Sequence, residues 1–182
     1  MKLEFDIRQE GLRAIGAFVD ALGPLERPIR QLASVSEHRK RKAEAFRFEK
    51  DRRLCLLAGM LLDQLLEAYG LRECDMTYIE NEYGKPLFAQ HPELHFSLAH
   101  SEHMAAAALS TVPVGIDVEY LPAFPSDIAD AGTWTEMEAV GKAQGSGIGA
   151  FLEGGPYQRP SGFEVEHVSL GDYLACLAKQ VQ

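Results

Sequence analysis

The sequence lacks the features that define several large classes of protein. None of its apolar runs approaches the roughly 20 residues of a membrane-spanning helix, and its first residues, MKLEFDIRQE, carry acids where a secretory signal needs an apolar stretch. Its three cysteines, Cys55, Cys74 and Cys176, are too scattered for a disulfide framework or a zinc site. We therefore expect a cytoplasmic protein with reduced thiols and no membrane partner.

Positive charge is also scarce, and its distribution is uneven. The net charge is −9, and residues 111–182 hold ten acids but only three Lys and Arg. Eight of the 18 Lys and Arg lie within residues 38–53. An acidic chain with one basic concentration is not typical of a nucleic-acid-binding protein. The charge pattern instead indicates that the protein binds a compact anion.

Apolar periodicity predicts several helices in a chain of 182 residues, which is long enough for one domain or two small halves. A basic helix is expected from Ser36 to about Phe48, and a helix with a wide apolar stripe from Asp51 to Tyr69, ended by Gly70. A further helix begins near Thr133, and residues 12–22 also have a helix-like pattern before Gly23-Pro24.

Short strands are predicted between and after these helices. They cover Met76–Glu80, Leu94–Ala99, Met104–Thr111, Val114–Tyr120, Phe163–Val168 and Tyr173–Ala178. The simplest arrangement makes Val114–Tyr120 the antiparallel neighbour of the strand before it. The order of elements predicts an α+β fold, with a hint of two similar halves.

The strand Val114–Tyr120 carries two acids on one face. Because side chains alternate along a strand, Val114, Ile116 and Val118 face a core while Asp117 and Glu119 project together from the other side. Two adjacent carboxylates repel each other unless a positive charge lies between them, and a hard cation such as Mg²⁺ prefers oxygen ligands. The alternative is an edge strand with a solvated acidic face.

Other candidate residues lie near the ends of predicted elements. Lys85 is in a Gly-Lys-Pro turn, which could also be an ordinary exposed turn, and His100 ends a strand. Glu138 and Lys142 are four residues apart in the third helix, so one helical face presents both charges. Such a pair is often only a weak surface ion pair, but beside Asp117 it could complete a metal and phosphate site.

Four segments in order resemble the 4′-phosphopantetheinyl transferases of the surfactin-synthetase type. They are Tyr-Gly-Lys-Pro (83–86), His-Phe-Ser-Leu-Ala-His-Ser (95–101), Gly-Ile-Asp-Val-Glu (115–119) and Trp-Thr-x-x-Glu-Ala-x-x-Lys-Ala-x-Gly-x-Gly (134–147). The resemblance implies two pseudosymmetric lobes, each with a helix packed on a small, mostly antiparallel sheet. Residues 1–111 would form the coenzyme A nucleotide side and residues 112–182 the metal side of a monomer.

The resemblance also implies an activity and a set of site residues. The enzyme would transfer 4′-phosphopantetheine from coenzyme A to a serine of an acyl or peptidyl carrier protein and release 3′,5′-ADP. Glu138 and Lys142 are the implied catalytic residues. The implied Mg²⁺ ligands are Asp117, Glu119 and Glu138, and the implied coenzyme A-binding residues are His38, Arg41, Arg53, Lys85, His100, Ser101 and Lys142.

The sequence departs from the family pattern at three places. Leu54 stands where family members often have an arginine, for which Arg53 or Arg52 could substitute. Met137 stands where the family usually has a lysine, which removes one positive charge. The segment from Glu119 to Trp134 is also shorter than usual, either through a true deletion or, as we favour, because a loop is missing from the sequence. A coenzyme A-binding protein without transferase activity, or a small α+β interaction domain, therefore remain the alternatives.

Overall fold

The computed structural model describes residues 1–22, 35–125, 130–152 and 156–181. Within these ranges it contains four α-helices and nine β-strands. The helices are α1 (Glu37–Ala45), α2 (Glu49–Leu66), α3 (Ala131–Gln144) and α4 (Gly149–Leu152). The strands are β1 (Phe5–Gln9), β2 (Leu12–Phe18), β3 (Tyr78–Glu80), β4 (Pro86–Phe88), β5 (His95–Ser101), β6 (Met104–Ser110), β7 (Val114–Tyr120), β8 (Phe163–Leu170) and β9 (Tyr173–Gln180). None of the helices described is both long and apolar enough to span a bilayer.

A four-stranded antiparallel sheet with the order β1-β2-β6-β5 supports helix α2. The apolar stripe of α2, which includes Leu57 and Leu61, packs against Ile15, Ala107 and Leu109 on one face of this sheet. The helix is followed by a 3₁₀ turn that ends at Gly70, whose positive φ of 70° closes the helical segment. The predicted helix and its glycine stop are confirmed.

A second antiparallel sheet, with the order β7-β9-β8, packs on the other face of the first. Ala106 and Ala108 of β6 share one core cluster with Val114, Ile116 and Val118 of β7. Helix α3 covers the outer face of the second sheet through contacts that include Ala139 and Cys176. The described chain is thus layered as helix, sheet, sheet and helix, which confirms an α+β fold built on small antiparallel sheets; the pseudosymmetry and the division at residue 111 stay predictions.

The predicted pairing of β6 with β7 is wrong. Both edges of β6 are already occupied by β2 and β5, so the chain crosses after Pro113 into the other sheet, where β7 pairs with β9. Side chains of β5 join the sheets instead. The hydroxyl oxygen of Ser97 accepts a hydrogen bond from Ile116 N at 3.0 Å, and that of Ser101 accepts one from Tyr120 N at 3.1 Å.

The predicted helical pattern over residues 12–22 is also wrong. Residues 12–18 form strand β2, which is followed by a short 3₁₀ helix, Val19–Leu22. Strand β2 lies between two strands and is buried on both faces, with Leu12 and Ala14 on one side and Ile15 and Ala17 on the other. A strand covered on both faces loses its alternation and can imitate a helical period.

The ends of α1 and α3 depend on side-chain caps. The hydroxyl oxygen of Ser36 accepts a hydrogen bond from Arg39 N, and Asp130 accepts one from Thr133 N at the start of α3. Helix α1 ends at Ala45, shortly before the predicted end at Phe48. Residues 23, 24 and 126–129 lie outside the described residues, so the cause of the short segment before α3 stays a prediction.

Candidate functional site

A cavity of about 300 Å³ lies where α1, α2, the β3–β4 hairpin, β5 and α3 meet. It brings together side chains from positions far apart in the sequence. The lysines, arginine and histidines that line it are His38, Arg39, Lys42, Lys85, His100 and Lys142. Four of these six were predicted as site residues, so the cavity is the natural candidate for the binding site of a compact polyanion.

Helix α1 presents only part of its charge to the cavity. His38, Arg39 and Lys42 line it, which fits the spacing of residues on one helical face. The structure places Arg41, which was predicted as a site residue, at an exposed position outside the cavity lining. Sequence reasoning missed Arg39 and Lys42 because five consecutive residues of α1, 38–42, are basic or histidine and the pattern alone does not say which of them face inward.

The side chain of Arg39 packs closely against α2 at Gly59, where there is no side chain to exclude it. It is 4% exposed, and a Cβ atom added to Gly59 would lie 2.9 Å from Arg39 Cγ and 3.1 Å from its Nε. Arg39 Nε has no hydrogen-bond partner among the described residues and lies 3.8 Å from Glu73 Oε1. A glycine inside an otherwise apolar helix was the available sequence signal for such a close approach.

The tip of the β3–β4 hairpin is anchored to the C-terminal end of α3. Lys85 Nζ donates hydrogen bonds to the carbonyl oxygens of Lys142 at 2.6 Å and Ala143 at 3.3 Å. Asn81 Nδ2 donates to the carbonyl oxygen of Gly145 at 2.9 Å. Lys85 therefore lines the cavity as predicted, but its ammonium is directed at the negative end of a helix dipole rather than at open space.

Burial lowers the pKa of Lys85 to about 8. Between this value and the ordinary lysine pKa, the unfolded chain binds more protons than the folded one, so the contribution of Lys85 to the free energy of unfolding rises with pH. We expect the free energy of unfolding of the wild type, relative to Lys85→Met, to increase by about 1–2 kcal/mol from pH 8 to pH 9.5. Urea denaturation of both proteins at the two pH values measures this change; a constant or falling difference would contradict it.

His100 is exposed at the end of β5, on the cavity wall. Partial desolvation lowers its pKa; the charge of Asp51 opposes this effect, and the nearby cations Lys142, Lys42 and Arg39 reinforce it. The imidazole is therefore uncharged at neutral pH and can accept or donate a hydrogen bond.

Lys142 connects the cavity with the acidic residues. Its Nζ lies 2.6 Å from Asp117 Oδ1 and 3.7 Å from Glu138 Oε2. Burial raises the pKa of Asp117, and it also raises the pKa values of Glu119 and Glu138, to which the charge of Asp117 adds. Asp117 is thus close enough to affect both of the other predicted carboxylates, and the Lys142 ammonium lies near Asp117 and Glu138.

The oxygens of this acidic group are only partly satisfied. Asp117 is 5% exposed, and its Oδ2 has no hydrogen-bond partner in the part of the chain that the structure describes. Ser101 Oγ donates to Glu119 Oε2 at 3.3 Å. No group of three or more His, Cys, Asp or Glu within the described ranges is arranged as a metal site. A buried carboxylate oxygen without a hydrogen-bond partner is nevertheless suited to be a ligand of a hard cation.

Two other predicted site residues, Ser101 and Arg53, lie away from the cavity lining, as does Met137. Ser101 is engaged with Glu119 and with the backbone of Tyr120. Arg53 is half-buried and its Nη2 donates to the carbonyl oxygen of Val19 at 3.5 Å. Met137, which replaces a lysine of the family pattern, is 5% exposed in the packing of α3.

Sequence comparisons support the resemblance seen in the motifs. The chain is 28% identical over 120 residues to the 4′-phosphopantetheinyl transferase ffp of Bacillus subtilis. The aligned region covers 65% of this chain and 54% of that protein. It is 27% identical over 119 residues to the 4′-phosphopantetheinyl transferase Sfp of Bacillus subtilis strain 168, with 65% and 53% covered. It is 37% identical over 98 residues to the 4′-phosphopantetheinyl transferase psf-1 of Bacillus pumilus, with 53% and 41% covered.

These similarities confirm that the chain resembles 4′-phosphopantetheinyl transferases. The chain spans about half the length of the curated relatives it matches. No protein-family model matches it.

Proposed function

We propose that this protein transfers 4′-phosphopantetheine from coenzyme A to a serine of an acyl or peptidyl carrier protein. The observation that carries the proposal is the position of Lys142, which lines the basic cavity and also contacts Asp117 at 2.6 Å. One ammonium therefore joins a polyanion-binding cavity to a group of carboxylates, as a reaction on a pyrophosphate requires.

The α1 side of the cavity is the proposed position of the coenzyme A 3′-phosphate. Arg39 has an unpaired Nε–H within the described chain and a guanidinium buried beside Lys42 and His38. A guanidinium with free donors in a partly desolvated site binds phosphate strongly. We assign this role to Arg39 and Lys42 in preference to Arg41, which does not line the cavity.

The carboxylates of Asp117, Glu119 and Glu138 are the proposed ligands of Mg²⁺. The unpartnered Oδ2 of Asp117 and the half-buried positions of Glu119 and Glu138 support this assignment. A bound divalent cation would supply positive charge to neutralise phosphate oxygens. Lys142 supplies a fixed positive charge beside the same position.

The proposed chemistry is an in-line displacement at phosphorus. The serine oxygen of the carrier protein forms a bond to the β-phosphorus of coenzyme A, the phosphoanhydride bond breaks, and 3′,5′-ADP leaves. Glu138, half-buried on α3 and one turn from Lys142, is the proposed acceptor of the serine proton. Lys142 and His100 stabilise the negative charge on the phosphates.

The remaining features of the proposal concern the state of the protein in the cell. The cysteines Cys55, Cys74 and Cys176 are unpaired within the described chain, which supports a reducing compartment such as the cytoplasm. We propose that the protein acts as a monomer, as the resemblance to two-lobed, single-chain transferases implies.

Incubation of the protein with coenzyme A, Mg²⁺ and an apo carrier protein tests the proposed function. Mass spectrometry of the carrier protein should show the addition of one phosphopantetheine group, and chelation of Mg²⁺ should abolish it. Binding of coenzyme A without transfer would instead identify a non-catalytic relative. Absence of both would favour the remaining alternative, a small α+β interaction domain.

The variant Gly59→Ala should weaken coenzyme A binding by displacing Arg39. The added methyl group would lie 2.9 Å from Arg39 Cγ, a contact that forces the arginine stem to move. We expect the dissociation constant of coenzyme A to rise about tenfold, which corresponds to the loss of one good charged hydrogen bond. Isothermal titration calorimetry measures this change.

Gly149→Ala is the matched control for this prediction. A Cβ atom added at Gly149 meets no atom within 4 Å, so the same substitution there should leave the dissociation constant unchanged. Equal affinities of the Gly59→Ala variant and the wild type would show that Arg39 does not contact the ligand.

A further inference from the structure

A fully buried carboxylate lies behind the α1 side of the cavity. Glu73, in the short 3₁₀ turn after α2, is 0% exposed and does not line the cavity. Its Oε1 accepts hydrogen bonds from Ser36 Oγ at 2.8 Å and from the hydroxyl of Tyr78 at 2.5 Å. Its Oε2 accepts one from Ser36 N. Burial of a carboxylate is costly unless such donors surround it.

Every group directed at Glu73 is a hydrogen-bond donor. A carboxylate is acceptor-only, whereas an amide or a protonated acid would place a donor against one of these groups. Burial, together with the negative charge of Glu73, raises the pKa of Tyr78, so its hydroxyl stays protonated and continues to donate. The surroundings of Glu73 therefore suit a side chain whose two oxygens both accept hydrogen bonds.

Glu73 is connected to both α1 residues that lie deepest in the cavity wall. Its Oε1 is 3.8 Å from Arg39 Nε, and Ser36, which it binds twice, also caps α1 by accepting a hydrogen bond from Arg39 N. Tyr78, its third partner, stacks on His38 with ring centroids 4.4 Å apart and an interplanar angle of 14°. Glu73 thus contacts the supports of Arg39 and His38 at once.

The position of Glu73 is itself fixed from α2. Its backbone N–H donates to Asp63 Oδ1 at 2.8 Å, and Asp63 is held by Arg72 through hydrogen bonds of 3.0 and 2.7 Å. The buried carboxylate is therefore attached to the long helix of the core on one side and to α1 and β3 on the other. A rigid attachment of this kind reduces the freedom that Arg39 must lose when it binds an anion.

We propose that Glu73 is a positioning residue that holds Arg39 and His38 in place for the 3′-phosphate of coenzyme A. This inference rests on the proposed function and names a residue that acts through others, without itself touching the ligand. It predicts that Glu73 controls the preference for coenzyme A over 3′-dephospho-coenzyme A, since only the former carries the phosphate that Arg39 would bind.

The variant Glu73→Gln tests this role because it keeps the shape of the side chain and removes its charge. We expect the KM and dissociation constant for coenzyme A to rise about tenfold, the loss expected for one charged hydrogen bond. The values for 3′-dephospho-coenzyme A should change little, and kcat at saturation should stay within about twofold of the wild type, because the acidic group and Lys142 are untouched. Tyr78→Phe, which removes one donor and retains the ring over His38, should change the preference in the same direction by a smaller factor.

Glu67→Gln is the control, because Glu67 is exposed at the start of the 3₁₀ turn that follows α2 and the substitution removes the same charge. It should leave the preference between the two nucleotides unchanged. A merely structural role for Glu73 would weaken binding of both nucleotides equally. Unchanged discrimination in a folded Glu73→Gln variant, with normal binding by the wild type, would overturn this inference alone, whereas absence of coenzyme A binding by the wild type would overturn the proposed function with it.

Discussion

Asp117→Asn should reduce the rate of phosphopantetheine transfer about a hundred- to a thousandfold, the usual effect of removing one charge-stabilising group from a reacting centre. Asp117 is 5% exposed, and its Oδ1 accepts a hydrogen bond of 2.6 Å from Lys142 while Oδ2 is unpartnered within the described chain. Asparagine preserves the size of the side chain but removes the charge that holds Lys142 and, in our proposal, Mg²⁺. The initial rate of carrier-protein modification at saturating coenzyme A measures the effect.

The same variant should have little effect on binding of the nucleotide without Mg²⁺. Arg39 and Lys42 line the cavity from α1, whereas Asp117 lies on β7 outside the cavity lining. Asp172→Asn is the matched control, because Asp172 is exposed in the turn between β8 and β9 and the change in charge is the same. A transfer rate within a few-fold of the wild type for Asp117→Asn would remove Asp117 from the site.

Local patterns predicted the elements whose two faces differ in polarity. Strand β7 has the predicted bounds, Val114–Tyr120, because apolar residues occupy the face toward the core, while Asp117 and Glu119 occupy the face that α3 covers. The stripe of α2 was equally clear, since a helix on a sheet buries one face. The bounds of strand β2 could not be predicted in this way, because it carries apolar residues on both faces, one packed against α2 and the other against the second sheet.

The pairing partner of β7 could not be predicted from the sequence, for a different reason. Val114–Tyr120 follows β6 after a short connection, and neighbouring strands in sequence usually pair. Here β9, more than fifty residues away, takes the place beside β7, because β2 and β5 already occupy both edges of β6. That outcome depends on contacts among strands from the whole chain and leaves no mark in either strand alone.

The candidate site shows the same division between local and tertiary information. The pair Glu138 and Lys142 and the turn at Lys85 were visible as spacings, and the structure brings Lys142 and Lys85 to one cavity. The sequence did not predict which residues of α1 face the cavity, because this depends on the packing of Arg39 against Gly59 of α2. The role of Glu73 could not be predicted from the sequence either, because its partners Ser36 and Tyr78 lie on separate elements.

Gly115→Ala should be strongly destabilising, because α3 crosses β7 at this position with no room for a side chain. An added Cβ atom would lie 1.9 Å from the carbonyl oxygen of Ala139 and 2.6 Å from Ala143 N, both backbone atoms that cannot rotate away. Overpacking usually costs 1–3 kcal/mol, and we expect about 3 kcal/mol or more here because a whole helix must shift. Urea denaturation measures the free energy of unfolding.

Displacement of α3 should also abolish transfer, because the helix carries Lys142 and Glu138 and holds them against Asp117 on β7. Trp134, the only tryptophan of the chain, lies on α3 and reports its environment by fluorescence. Ile116→Val is the control: it removes one methylene from the opposite face of the same strand, where the cost should be about 1 kcal/mol and the Trp134 emission should not change. If Gly115→Ala left both stability and Trp134 emission at the values of this control, the close crossing of α3 over β7 would be wrong, and with it the geometry that brings Lys142 to Asp117.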